Sequence, residues 1–258
     1  MGTFLNPAYI YGPVHSRRLG ISLGVNLNPA DGKHCSFDCI YCELGTNAQR
    51  RTKSGFPAAK DIAGALEAKL RKMDGEGLHP DVITLAGNGE PTANPEFPDA
   101  VDAACALRDE ICPEAKVGVL SNATFAHLPQ VHAALEKVDD NILKLDTVDP
   151  AFIAQVDRPV GPYDVVQVIE TLASFKGHVI VQTIFFKGEM RGVLLDDTGD
   201  AYVEPWLAAL ERIRPSGVMV YTIARETPFH GLQKASHKEL DSIKARVEER
   251  GFSCTVAY

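Results

Sequence analysis

Six short apolar runs, each followed by a stretch patterned as an amphipathic helix, constrain this chain more than any other feature. The runs lie at residues 21–27, 81–86, 116–121, 141–146, 178–185 and 217–223. Six to eight residues rich in Val, Ile and Leu is the length of a buried strand. Between and after them, apolar side chains recur every three or four positions: Ile62/Leu66/Leu70/Met73, Phe97/Val101/Ala104/Cys105, Leu128/Val131/Leu135/Val138, Val165/Ile169/Leu172, Val203/Leu207/Leu210/Ile213 and Leu240/Ile243/Val247. Strand and helix patterns in alternation predict an α/β fold built on a parallel sheet. About six β/α units of ~30 residues fit the length, fewer than the eight of a closed barrel. The expected architecture is therefore a partial (β/α)6 TIM-like barrel. A last strand is expected around Cys254. No Pro/Gly/Ser linker or charge block divides the chain, which predicts one domain over 1–258. Residues 1–60 would carry the first strand and the loop after it, and 61–258 the remaining units.

In such sheets chemistry collects in the loops that leave the carboxyl ends of the strands. The loop after the first strand holds Cys35, Cys39 and Cys42 in the spacing Cys-x3-Cys-x2-Cys. Three thiolates can bind a four-iron cluster that ordinarily takes four, so one iron stays open to a small molecule, as a catalytic zinc keeps a vacant position. The spacing alone also admits a structural zinc with His34 or Cys254 as fourth ligand. Zinc sites usually arrive as two separated Cys/His pairs, and no second pair is visible. Cys105, Cys112 and Cys254 read as packing residues.

The second run ends in Gly-Asn-Gly-Glu-Pro-Thr (87–92), the third in Ser-Asn-Ala-Thr (121–124) and the fourth in Lys-Leu-Asp-Thr-Val-Asp (144–149). Gly87 and Gly89 permit close backbone approach, and Glu90 can accept a charge-assisted hydrogen bond from an ammonium group. The same segment also reads as a simple turn, and Ser121 as a helix cap. Asp146 closes an apolar strand and calls for a partner, which Lys144 can supply. Gln182, Lys187, Thr222 and Arg225 fall at later strand ends.

The cysteine spacing, with Tyr41 just before the third cysteine, together with Gly-Asn-Gly-Glu-Pro resembles the radical S-adenosylmethionine (SAM) superfamily. Asn88 stands where that family more often has Gly. The resemblance implies a 4Fe-4S cluster on Cys35, Cys39 and Cys42, and SAM bound through Gly87, Asn88, Gly89, Glu90, Ser121, Asn122, Asp146 and Gln182, with Tyr41 near the adenine. It implies an oxidoreductase that cleaves SAM to a 5'-deoxyadenosyl radical, with flavodoxin or ferredoxin as the kind of electron donor. Arg17, Arg18, Lys187 and Arg225 become candidates for substrate contact. The segments at 11–25 and 221–225 resemble more finely a subgroup associated with wybutosine-synthesising tRNA enzymes. Those enzymes carry extra cysteines ahead of the cluster loop, and this chain has none before Cys35. A protein-modifying radical activase, a tRNA-modifying enzyme and a non-catalytic zinc scaffold remain as alternatives.

Charge bears on the partner. The net charge is -8. Residues 1–60 hold seven Lys and Arg against three Asp and Glu, or +4, which leaves -12 for the rest. An acidic body argues against a polyanion such as tRNA and leaves room for a small anion near the basic entry. No apolar run reaches the ~18 residues of a membrane span, and the amino terminus lacks the pattern of a secretory signal. These features predict a cytoplasmic protein.

Overall fold

A computed structural model describes residues 5–16, 19–190 and 192–258. The elements run β1 (Ile10–Ser16), β2 (Gly20–Asn26), α1 (Ala59–Gly75), β3 (Val82–Ala86), α2 (Phe97–Ile111), β4 (Lys116–Ser121), α3 (Pro129–Leu135) and β5 (Asp140–Lys144). They continue with α4 (Pro150–Val156), α5 (Val165–Ser174), β6 (Ile180–Ile184), β7 (Phe186–Met190), β8 (Val193–Asp196), α6 (Asp200–Ile213), β9 (Gly217–Tyr221), β10 (Leu232–Lys234), α7 (His237–Glu249) and β11 (Cys254–Ala257). Two compact units result, one of residues 5–36 and 47–142, the other including 37–46 and 143–258.

In the amino-terminal unit, β2 pairs in parallel with β3, and β3 with β4. β1, which the apolar pattern did not predict, adds to β2 antiparallel. It pairs through Tyr11 opposite Gly24, where any Cβ would meet the tyrosine ring at 2.1 Å. The buried hydroxyls of Ser22 and Thr84 bond across β2 and β3 at 2.8 Å. That pair places two polar side chains in an apolar layer, and each satisfies the other. The helices form for the reason their spacing suggests. Ile62, Leu66, Leu70 and Met73 of α1 are all buried, as are Phe97, Ala100, Val101 and Ala104 of α2. Each such Leu or Ile contributes about 1.5–3 kcal/mol by leaving water.

In the carboxyl-terminal unit, β6, β9 and β11 pair in parallel. α6 buries Trp206 on the chain just past β5. The indole Nε1 donates to the Leu145 carbonyl at 3.1 Å, and Thr183 donates to the same oxygen at 2.8 Å. α5 starts on Asp164, whose side chain accepts from Val166 N, and α7 on a reciprocal Ser236/Glu239 cap. These are the caps that free helical N–H groups require. The sixth apolar pattern, Leu240/Ile243/Val247, is buried along α7.

The six expected strands all form, and the α/β class with mostly parallel pairing stands. The departures are local. The strand expected at 141–146 stops at Lys144, and the one expected at 178–185 stops at Ile184. β6 is followed by a small antiparallel sheet, β10-β7-β8, rather than directly by a helix. A short helix, α4, follows β5 ahead of the expected helical face at Val165/Ile169/Leu172. No described helix is long and apolar enough to cross a membrane.

Candidate cluster and SAM site

In the amino-terminal unit the cysteine loop begins by pairing with the glycine turn after β3. His34 and Gly89 form a parallel bridge, with His34 N donating to the Asn88 carbonyl and Glu90 N to the His34 carbonyl, both at 2.9 Å. The approach is close enough that only glycine fits: a Cβ on Gly89, whose φ is +132°, would lie 1.8 Å from the His34 oxygen. Gly87, at φ +120°, would put a Cβ 2.2 Å from Asn26 Oδ1. That oxygen accepts from Asn88 N at 2.9 Å and from Asn28 N at 3.1 Å, so the end of β2 fixes the turn.

Asn88 is fully buried. Its amide nitrogen donates to the carbonyls of Pro29 and Asn6, at 3.0 and 2.9 Å, and its amide oxygen accepts from Asn6 N. Its part is therefore to tie the chain around residue 6 to the turn. Glu90 is also buried and faces inward. Its carboxylate accepts from Thr92 N and Oγ1, Ser121 Oγ and Asn122 N, at 3.0, 2.5, 2.7 and 2.7 Å. Burial pushes its carboxyl above the usual range while these donors pull it back. A carboxylate with four internal donors locks the ends of β3 and β4 together. Ser121 also accepts from Ala123 N at 3.0 Å, but the helix cap read for it does not form, since α3 starts only at Pro129 with Leu128 at its N-cap.

Asn122 reaches the cysteine loop. Its Nδ2 lies 2.9 Å from Ser36 Oγ and 3.7 Å from Cys35 Sγ. Asn47 Nδ2 holds the Cys35 carbonyl at 3.2 Å. The exposed His34 ring packs edge-on against Phe56.

The carboxyl-terminal unit holds the rest of the loop. Ile40 N and Asp38 N donate to the Val156 and Asp157 carbonyls at the end of α4, at 2.9 and 3.0 Å. Cys42 N donates to the Cys39 carbonyl at 3.2 Å, closing a turn over the last two cysteines. Beneath them lies a buried ionic group. Lys144 Nζ is 2.5 Å from Asp157 Oδ1, 3.0 Å from Asp146 Oδ2 and 3.5 Å from Cys39 Sγ. It also sits over the Phe37 ring at 4.6 Å. The Tyr41 hydroxyl donates to Asp146, and to Asp157 at 3.0 Å. Its ring packs in a cluster with Ile40, Phe152, Val156 and Phe186. Lys144 is thus the partner that the strand pattern required for Asp146, while Asp157 and α4 carried no sequence signal beyond the Asp149-Pro150 start of that helix.

Burial lifts the Asp146 carboxyl to about 7, with Lys144 opposing and Asp157 adding to the rise. A carboxyl that holds its proton more tightly when folded loses stability for the protein as pH climbs from the unfolded value near 4 to about 7. Asp146→Asn should therefore match the parent at pH 4 and exceed it by on the order of 2–4 kcal/mol at pH 8. Urea denaturation at both pH values checks this; an advantage at pH 4 that shrinks by pH 8 would contradict the assignment.

The other described candidate residues lie on or after later strands. Lys187, on β7, pairs with Glu239 at 2.6 Å, and exposed Arg225 pairs with Glu43 at 2.8 Å. Thr222 accepts from Ala235 N at 2.9 Å. Gln182, on β6, keeps its buried Nε2 without a protein partner. Arg17 and Arg18 lie outside the described residues. Cys254 is buried in β11, and desolvation pushes its thiol up to about 12, which makes it a poor metal ligand. All six cysteines are free thiols.

Comparison with known proteins identifies the family and the fold. Residues 31–198 match the Radical SAM superfamily, more than half of the chain. A UPF0026 protein of Helicobacter pylori is 29% identical over 91% of this chain and 72% of its own length. The crystal structure of Streptococcus suis SuiB bound to S-adenosylmethionine superposes with a TM-score of 0.64 at 14% identity. It covers 91% of this chain, which spans half the length of SuiB. The structure of TYW1 with a lysine-pyruvate adduct bound gives 0.61 at 15% identity, covering 88% of this chain and 73% of that one. At such identities the structures share the fold and say nothing of substrate. By the family match the chain belongs to the radical SAM superfamily, whose enzymes use a 4Fe-4S cluster and SAM.

Proposed function

We propose that this protein is a radical SAM enzyme that generates a 5'-deoxyadenosyl radical and uses it to take hydrogen from a substrate other than tRNA. The observation that carries the reading is the backbone pairing of the cysteine loop with the glycine turn through His34 and Gly89. That pairing ties the start of the metal-binding loop to the strand-end segment that resembles the family's SAM-binding motif. The donor set fits an iron-sulfur cluster: three free thiols in Cys-x3-Cys-x2-Cys spacing, two of them facing N–H donors suited to thiolate sulfur.

In this reading Cys35, Cys39 and Cys42 hold the cluster, which when bound with SAM supplies the electron that cleaves the sulfonium. The chain's own groups bind and orient. The turn from Gly87 to Glu90 presents backbone to the methionine end of SAM, and Glu90 acts by fixing that turn through its four internal donors. Asn122 lies between the turn and Cys35. Tyr41, Asp146 and Lys144 form a buried wall under Cys39, with the Tyr41 hydroxyl held by carboxylates. Gln182, in the middle of β6, carries a buried amide donor without a protein partner, which a bound ligand's acceptor would satisfy.

The acidic body disfavours tRNA, and the likeness to TYW1 is one of fold. Reduced, cluster-loaded protein should convert SAM slowly to 5'-deoxyadenosine without any substrate. Added tRNA should bind weakly and leave that rate unchanged. Absence of 5'-deoxyadenosine would contradict the proposed chemistry. Tight tRNA binding that falls steeply with salt and accelerates the cleavage would instead restore an RNA substrate.

A further inference from the structure

Two side chains aim N–H groups at cysteine sulfurs. In the carboxyl-terminal unit the Lys144 ammonium lies 3.5 Å from Cys39 Sγ while its other contacts go to Asp157 and Asp146. In the amino-terminal unit Asn122 Nδ2 lies 3.7 Å from Cys35 Sγ, its direction fixed by Ser36 Oγ at 2.9 Å and by Thr124, whose N and Oγ1 both donate to Asn122 Oδ1. A buried lysine is costly to keep, and its side chain is only 12% exposed. Two carboxylates and the rings of Phe37 and Tyr41 compensate it. The arrangement holds a positive charge against one particular sulfur.

We propose that Lys144 and Asn122 are positioning residues that set the reduction potential of the cluster by hydrogen bonding to Cys39 and Cys35. The inference rests on the reading that these cysteines hold a cluster. Reduction adds one electron, much of it felt at the sulfurs, and N–H donors to sulfur favour the reduced form. Asp157 works against Lys144, because its Oδ1 lies 3.7 Å from the same sulfur. Its charge is partly drawn off by Lys144 itself and by the Tyr41 hydroxyl at 3.0 Å. The two groups therefore push the potential in opposite directions, and an order among variants follows.

The test is redox titration of the anaerobically reconstituted full chain without SAM, followed by the EPR signal of the reduced cluster. The expected order of midpoint potentials, from most positive, is Asp157→Asn, parent, Lys144→Met/Asp157→Asn, Lys144→Met. At a fixed poise Lys144→Met should show about a tenfold lower ratio of reduced to oxidised cluster, which is about 59 mV for one electron. Asn122→Ala should shift in the same direction by less, since a neutral donor is weaker. A second readout needs no variant: in protein labelled with 15N-lysine, the reduced cluster should show a 15N coupling in pulsed EPR. A parent with that coupling and the variant order supports the proposal. A cluster present at full iron content with no lysine coupling, or with potentials that do not move, overturns it alone. Failure of the parent to bind iron and sulfide overturns it together with the proposed function.

Discussion

Gly89→Ala is expected to lower the stability of the amino-terminal unit by about 4 kcal/mol and to strip most of the iron from reconstituted protein. The new Cβ would sit 1.8 Å from the His34 carbonyl oxygen and 2.5 Å from its carbon, both backbone atoms that cannot swing aside. The φ of +132° adds strain for any L side chain. Relief requires the bridge to open, which loses two hydrogen bonds, His34 N to Asn88 O and Glu90 N to His34 O. Each is worth ~1 kcal/mol when made, and each buried group left unpaired costs ~1–3 kcal/mol. Because His34 directly precedes Cys35, the damage falls on the metal loop first. Gly55→Ala, where a Cβ meets nothing within 4 Å, is the matched control. Thermal melting and iron content together check the pair. A Gly89→Ala protein that melts with the control and retains its iron would show that the bridge is incidental.

Much of the fold was legible because buried strands and helix faces write themselves into apolar spacing. The six parallel-type strands and the helices α1, α2, α3, α5, α6 and α7 came from that signal. β1, β7, β8 and β10 did not, since each is short or exposed along one side; β1 reads Ile-Tyr-Gly-Pro-Val-His-Ser, with four of its seven residues exposed. Their pairing is antiparallel and decided by neighbours rather than by their own hydrophobicity. α4 carried a local signal, Asp149 as cap with Pro150 at the first turn.

The candidate site divides in the same way. The cysteines, the glycines and Glu90 are recognisable by type and spacing, because a cluster needs thiolates and a close approach needs glycine. What sequence could not show is which way polar groups turn. Glu90 was read as an acceptor for an ammonium from its type alone, and spacing gave no sign that its oxygens also accept from Thr92, Ser121 and Asn122. Asn88, in a position where glycine is commoner in the family, spends its side chain on Asn6 and Pro29. Asp157 belongs to no motif, and only the packing of α4 brings it beneath Cys39. A carboxylate's partners are set by tertiary structure, and spacing along one chain does not encode them.

The largest effect expected of any substitution is loss of the metal centre itself. Three thiolates are the smallest set that holds a four-iron cluster while leaving an iron open, so removal of one should not be tolerated. Cys254, buried and with its thiol pushed up to about 12, is not suited to take over as a ligand. The central claim is tested most directly by counting iron and acid-labile sulfide in anaerobically reconstituted protein, with Cys39→Ala beside it. The account predicts about four iron and four sulfide per chain in the parent and near zero in Cys39→Ala. Stoichiometric zinc with no iron in the parent, or an unchanged cluster in Cys39→Ala, would contradict it.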